Sequence, residues 1–460
     1  MFNKRKSFII TLCILLPLLI FLSCKITRST QSQETPEQPV TLTEHQEQLV
    51  RELNQWLIPL GPSPLDLTDN ELSFLDQLKN AKIIALGEAT HGTREFFQMK
   101  HRIFQYLVEH HRHKAFGFEA DFAECIYLNN YVTKGEGDLT NLMRTRMQFY
   151  TWKTEEVREL LEWMKDYNLG KEEEEKIHYI GFDCQFTTYQ PDLLQEYLQQ
   201  TSPGLWETAS PVLEQVTDLS RDDYSAMPKE TYNDIKTQLE SLENLITANK
   251  DHLIANSSSN QYEINKQLLK TFKQAFIVIY HLSIRDNSTN WRDRFMAENA
   301  LWIADFFGQD TRITLWAHNG HIARNPVYGG DGSMGYHLYI ELNDLYQALG
   351  FSFSKGSFTA YGIDQQGNVT TVQIFSITSA PKSDSINFIF HHASHSNFVF
   401  HLDVIPTGSH WDNWLANPIP FLMIGGSYNG VIENYYRATN IRDHYNWIIY
   451  FDFSSASQLL

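Results

Sequence analysis

The sequence predicts an α/β fold: a mostly parallel sheet flanked by helices, with a helical insertion that caps it. Three observations lead there. Short β-branched runs such as Ile83–Leu86 are apolar at every position, as strands buried on both faces are. Amphipathic stretches with helical spacing separate these runs. The runs end on acids and imidazoles, and open α/β sheets bind ligands outside the carboxyl ends of their strands.

In chain order, residues 1–24 read as an export segment. Lys4-Arg5-Lys6 is the basic part, and Phe8–Leu22 is the apolar run, interrupted by Pro17. The run closes on Phe21-Leu22-Ser23-Cys24, which resembles a bacterial lipobox. Cys24 is the expected lipidation site, with ordinary signal cleavage or a retained anchor as the alternatives, and the expected location is the cell envelope. Residues 25–42 are polar and rich in Ser, Thr, Gln and Pro, the composition of a disordered tether.

The expected core occupies residues 43–204 and 301–460, with the helical insertion at 205–300. Thr43–Leu78 carries helical patterning. Ile83–Leu86 is the first strand, and Gly87 ends it. The loop Glu88-Ala89-Thr90-His91-Gly92-Thr93 follows, and a helix opens at Thr93 or at the Thr90/Gly92 turn. On that helix Phe96, Ile103, Phe104 and Leu107 define one face, and Lys100 points into its middle. A lysine in an apolar stripe either snorkels to water or meets a buried counter-charge, here Glu88 or Glu119. Ala115–Phe118 is the next strand and runs into Glu119. Asp121–Val132 and Gln148–Asn168 read as helices, with Thr154-Glu155-Glu156 as a start signal in the second. Lys171–Lys176 is a solvated charge run. Ile177–Phe182 is a strand that ends on Asp183.

Residues 205–300 show no strand signal, and Tyr232–Ile254 and Tyr262–Ile284 are long helical patterns. A further helix opens over Asn290–Asn299 and carries Arg292 and Asp293. Arg312–Ala317 is a strand that runs into His318-Asn319-Gly320-His321. A glycine-rich loop at Tyr328–Tyr336 and a helix near Leu338–Leu349 come next. The remaining strands are Ser357–Tyr361, Phe398–Val404, Phe421–Ile424 and Trp447–Phe453.

The bulk numbers exclude some functions. A net charge of −18 speaks against nucleic acid as a partner, because a phosphate-binding face needs clustered Lys and Arg. Of four cysteines, only Cys125 and Cys184 lie in the folded body, with no zinc-site spacing. They read as inert buried thiols or as one bridge, and Cys184 is the thiol placed at a strand end. There is no Gly-x-Ser-x-Gly elbow, Walker loop or dinucleotide fingerprint.

What remains is histidine flanked by carboxylates. A carboxylate on one ring nitrogen fixes the tautomer and leaves the other nitrogen free to take a proton from water. Glu88 or Glu119 suits that part beside His91. Lys100, Arg292 or a second imidazole would stabilise the oxyanion formed when water adds to an ester carbonyl. The same residues also suit a zinc or manganese site, although a cation such as Lys100 would repel the metal. The cluster is thus readable as a metal-independent hydrolase, as a metal-dependent one, or as a haem- or metal-binding surface lipoprotein. A polysaccharide or lipid ester of the envelope is a further candidate substrate.

Gly87-Glu88-Ala89-Thr90-His91-Gly92-Thr93-Arg94-Glu95-Phe96 resembles the signature of the erythromycin esterase family. So do Gly117-Phe118-Glu119, residues 150–157 (YTWKTEEV), Gly181-Phe182-Asp183, the run from Arg292 to Asn299, and His318-Asn319-Gly320-His321. The similarity covers roughly residues 45–455. It implies cofactor-free hydrolysis of a macrolide lactone by an activated water, with a helical subdomain beside a sheet core. It places the general base on His91, with Glu88, Glu119 and His318 or His321 in support. Lys100, Asp183 and Arg292 are the expected substrate-binding residues. The family's resistance esterases have an arginine where this chain has Lys100, and lysine lacks the planar fork. The expected partners are a small ester or lactone and, through the N-terminal lipid, a membrane; the chain is expected to be a monomer.

Overall fold

A sheet built around two adjacent parallel strands, Ile83–Leu86 and Arg312–Trp316, organises the chain. The computed structural model describes residues 41–217, 219–308, 310–326 and 331–460. The export segment with Cys24, most of the tether, and Tyr328, Gly329 and Gly330 of the glycine-rich loop lie outside these residues. Thr43–Leu460 forms one compact unit. No helix among the described residues is long and apolar enough to cross a membrane.

The strands are β1 (Ile58–Pro59), β2 (Ile83–Leu86), β3 (His113–Asp121), β4 (His178–Asp183), β5 (Arg312–Trp316), β6 (Tyr346–Ile363), β7 (Val369–Ile377), β8 (Asn397–His401), β9 (Ile419–Leu422), β10 (Ser427–Tyr428), β11 (Tyr436–Thr439) and β12 (Trp447–Ser454). The main sheet runs β1-β8-β12-β6-β2-β5-β3-β4, with β7 and β10 also paired to β6. From β12 to β4 every pairing is parallel. β8 adds antiparallel to β12, and β1 edges that side antiparallel to β8. β2 lies between β5 and β6, and β5 separates β2 from β3. The carboxyl ends of β2, β5 and β3 therefore open side by side, where such sheets bind ligands.

Apolar patterning explains the layers. The helix Arg94–His111 buries Phe96, Phe97, Ile103, Phe104 and Leu107 against the sheet. Aromatic side chains dominate there: Phe96 packs near Phe351 and Phe353, and Phe97 meets Trp316 edge-on at 4.7 Å. The helices from Gln190–Thr201 to Ser259–Ser283 share a second apolar cluster, which also takes in Phe122, Cys184 and Phe295. The result is the expected α/β architecture with a helical subdomain. Thr154 caps the helix Glu155–Asn168 by accepting from Val157 N–H.

The structure departs from the sequence reading in several places. Residues 346–349 begin β6 rather than ending a helix; the helix stops at Leu342. β6 is one strand of 18 residues, of which the sequence reading recognised only Ser357–Tyr361. Gly350 and Gly356 punctuate it and look like stops, but both are buried along the ladder. β7 gave no signal because its side chains are mostly exposed. Phe421–Ile424 overlaps β9, which leaves the main sheet and pairs with β11 alone. Thr43–Leu78 holds the helix Glu44–Trp56 but also the edge strand β1. Cys125 and Cys184 are separate buried thiols, so no bridge joins them.

Candidate active site

The loop after β2 carries the first half of the site. Glu88 is fully buried, and its Oε1 lies 2.5 Å from His91 Nδ1. Its Oε2 accepts from Lys100 Nζ at 2.5 Å and from Trp316 Nε1 at 2.7 Å. A carboxylate on Nδ1 keeps the proton there, which leaves Nε2 of His91 as the basic nitrogen. The His91 side chain is 17% exposed, enough to meet water. Burial pushes the Glu88 carboxyl up, but Lys100 and then His91 outweigh it and hold Glu88 below its ordinary value.

Lys100 meets its counter-charge inside the apolar stripe. It is 0% exposed, and its Nζ lies 4.2 Å from the Trp316 ring centroid. Burial lowers its pKa to about 8, against the pull of Glu88 and Glu119. A group so enclosed cannot touch a substrate. The expectation that Lys100 binds substrate is therefore corrected: it fixes and charges Glu88.

The second half assembles from β3, β4, the helix Trp291–Phe306 and the loop after β5. The register of β3 against β4 shifts between Phe118 and Asp121, and this irregularity falls at Glu119. A Cβ on Gly181 would lie 2.4 Å from Ala120 O, so only glycine lets β4 approach there. Glu119 accepts from Arg292 Nη2 at 2.7 Å and from the His318 backbone N–H at 2.8 Å. Burial would raise its pKa, but His321, Arg292 and His91 hold it well below the carboxylate range. Asp183 is 0% exposed and takes Arg292 on both oxygens. It too is removed from the expected substrate contacts, because it holds Arg292 from behind.

His321 sits in the middle of this network. Its Nδ1 lies 2.7 Å from Asp293 Oδ1, and its Nε2 is 3.1 Å from Arg292 Nη1 and 3.3 Å from Glu119 Oε1. A neutral ring accepts from Arg292, and a protonated one donates to Glu119. Burial pulls the ring's pKa down, but Asp293 and Glu119 win and raise it. His318 differs. Its Nδ1 accepts from Gly320 N–H, which puts its proton on Nε2. Burial, then His91 and His321, bring it down to about 3, so it stays neutral.

His91, His318 and His321 all line one cavity of about 200 Å³, closed by Met423, Ile424, Gly425 and Arg437. The His91 and His318 ring centroids are 5.2 Å apart. The wall segment is tied to the loop after β2: Ile424 N–H donates to Ala89 O and His91 N–H to Gly425 O. Arg292 lines a neighbouring cavity of about 410 Å³ with Trp291 and Asn290. Among the described residues, no group of three His, Cys, Asp or Glu side chains is arranged to hold a metal ion.

Some contributors escaped the sequence reading. Trp316, the last residue of β5, donates to Glu88 although it reads as a core aromatic. Asp293 is adjacent to Arg292, and its signal was that adjacency. Trp152 Nε1 donates to Glu119 O, and Tyr150 OH donates to Gly426 O. Both lie in the 150–157 stretch, which the resemblance marks without giving its aromatic pair a role. Gly425 and Arg437 carry no local signal at all.

The chain matches the family model described as erythromycin esterase over residues 108–454. It is 24% identical over 311 residues to erythromycin esterase type II of Escherichia coli, covering 61% of this chain and 71% of that one. A crystal structure of a Bacillus cereus protein matches with a TM-score of 0.78 at 22% identity, covering 90% of this chain and 99% of the other. A mutant of the erythromycin esterase EreC in its open conformation matches with a TM-score of 0.64 at 18% identity, covering 88% and 98%.

Proposed function

Because the chain belongs to the erythromycin esterase family of hydrolases, we propose that it cleaves an ester or lactone with a water activated by His91. The observation that carries this reading is the Glu88–His91 pair at the cavity, with His91 Nε2 as the base. In the reaction, Nε2 takes a proton from water as the oxygen adds to the substrate carbonyl. Glu88 stabilises the imidazolium that forms. The tetrahedral oxyanion receives N–H donation from His318 Nε2 and positive charge from His321. His91 then returns its proton to the leaving alkoxide, and the acid and alcohol separate.

A metal-independent course is part of the proposal. Its support is that Glu88 and Glu119 already hold Lys100 and Arg292, which would repel a bound cation. The reading of the cluster as ligands for haem or metal has less support for the same reason. Drug-sized ligands need pockets of roughly 300–1,000 Å³, so a cavity of about 200 Å³ suits the acyl group rather than a whole macrolide. The rest of a large substrate would extend past Arg292.

The test is a panel of aryl and alkyl esters, lactones and 14-membered macrolides, with EDTA-treated wild type beside His91→Asn. Treated wild type is expected to turn over at least one member, and the variant to be slower by about 10²–10⁴-fold. Equal turnover by both proteins rejects the base assignment, and loss of activity on chelation rejects the metal-independent course.

A further inference from the structure

Arg437 stands apart from every other cation of the site. Lys100 is spent on Glu88, and Arg292 on Glu119 and Asp183. Arg437 lines the cavity that holds His91, is exposed, and makes no side-chain hydrogen bond or ion pair among the described residues. Glu433, four positions earlier, is exposed as well and does not pair with it. The acids around the cavity are already engaged. Glu88 holds Lys100 and His91, Glu119 holds Arg292 and the His318 N–H, and Asp293 holds His321 and the Met334 N–H.

The position of Arg437 is built, not incidental. It lies on β11, paired with the fully buried Phe421 of β9. The chain leaving β9 forms the Met423–Gly425 wall and is bonded to Ala89 and His91 of the catalytic loop. The backbone that carries Arg437 is thus held at a fixed place relative to His91. In a chain with 55 acids and 37 bases, an unneutralised arginine at this mouth leaves room for an external anion. The guanidinium fork matches carboxylate and phosphate oxygens in pairs.

We infer that the substrate carries a carboxylate or phosphate beside the scissile ester, and that Arg437 receives it. This rests on the ester-hydrolase reading and narrows it to anionic esters. Arg437 is a specificity residue in this account. It is too exposed to act as a preorganised oxyanion donor, so it favours ground-state binding and acts on KM.

The experiment compares the mono-p-nitrophenyl ester of succinate with p-nitrophenyl butyrate, a pair alike in length but differing in one charge. Wild type, Arg437→Gln and Arg437→Lys are assayed on both, with a phosphate-bearing ester as a third substrate. The expected result is a ratio of succinate-ester to butyrate-ester KM that rises about tenfold in Arg437→Gln and only partly in Arg437→Lys. The phosphate arm tells which anion is preferred. An unchanged ratio in Arg437→Gln overturns the inference. Binding of free succinate and butyrate, followed by thermal shift in the same proteins, requires no turnover. Succinate stabilisation lost in Arg437→Gln supports the inference even where no ester is cleaved, which would count against the hydrolase reading alone. Equal stabilisation by both ligands, or by neither, overturns it.

Discussion

At the scale of single residues, Glu88 has two duties that pull on one carboxylate. One oxygen holds His91, and the other is shared by Lys100 and Trp316. Breaking a buried ion pair from one side costs about 3–5 kcal/mol, because the remaining charge is stranded. Replacing both partners with neutral groups is far milder. Glu88→Gln is therefore expected to lose about that much stability in urea titrations, and Lys100→Met likewise. The double variant should recover most of it. Activity should not recover, because an amide at 88 no longer stabilises the His91 imidazolium. A double variant as unstable as the worse single would show that the pair is not what holds this part of the core. The sequence showed that Lys100 sits in an apolar stripe and that an acid must answer it. It left Glu88 and Glu119 open, since the choice depends on strand order in the sheet, which no local pattern encodes.

At the scale of elements, the Glu88–Thr93 loop is pinned between β6 and the segment after β12. Gly92 O accepts from both Thr359 N–H and Ser457 N–H. A Cβ at 92 would lie 2.0 Å from Thr359 O and 2.7 Å from its backbone N, atoms that cannot rotate aside. Gly92→Ala is expected to cost about 1–3 kcal/mol, as overpacking does, and to shift His91, one residue earlier. Thermal denaturation and kcat should fall together; a variant with wild-type values in both would mean that the loop has slack. The same elements show what was legible. β2, β3, β4 and β5 are short apolar runs that end on chemistry, and Glu88, Glu119, Asp183 and His318 could be placed at one sheet edge from them. β7 and β11 are mostly exposed, so their composition does not separate strand from loop. Arg437 was illegible for that reason: an exposed arginine on a small outlying sheet looks like any surface charge until the chain leaving β9 is seen bonded to Ala89 and His91.

At the scale of the whole molecule, burial holds several imidazoles neutral. Burial is the leading cause for His101, His178 and His444, each brought down to about 4, and for His113 and His318, brought down to about 3. The unfolded chain protonates these rings near pH 6.5, and the folded chain does not until pH 3–4. Unfolding in that window takes up protons, so stability falls as pH falls through it. Asp121 and Glu124 oppose this. Burial raises both well above the carboxylate range, so the folded chain holds protons that the unfolded chain releases, a contribution full below pH 4 and lost as pH rises. His321, raised by its carboxylates against burial, opposes only above pH 6.5. His111, lowered by burial, joins these histidines, and Glu159, raised by burial, joins the two carboxylates, so the histidines still outnumber the opposing groups and unfolding near pH 5 takes up more than one proton. Below pH 4.5 the lowered carboxyls Glu88, Glu119 and Asp293 add to the same trend. Urea midpoints measured from pH 7 down to pH 4.5 should therefore decline steadily, with a slope worth more than one proton. His113→Asn, which keeps a polar side chain at a buried site without a titrating ring, should flatten that slope by about one proton. A midpoint independent of pH across this range would mean that these rings exchange protons with solvent in the folded state, and the burial argument for His318 would fall with it.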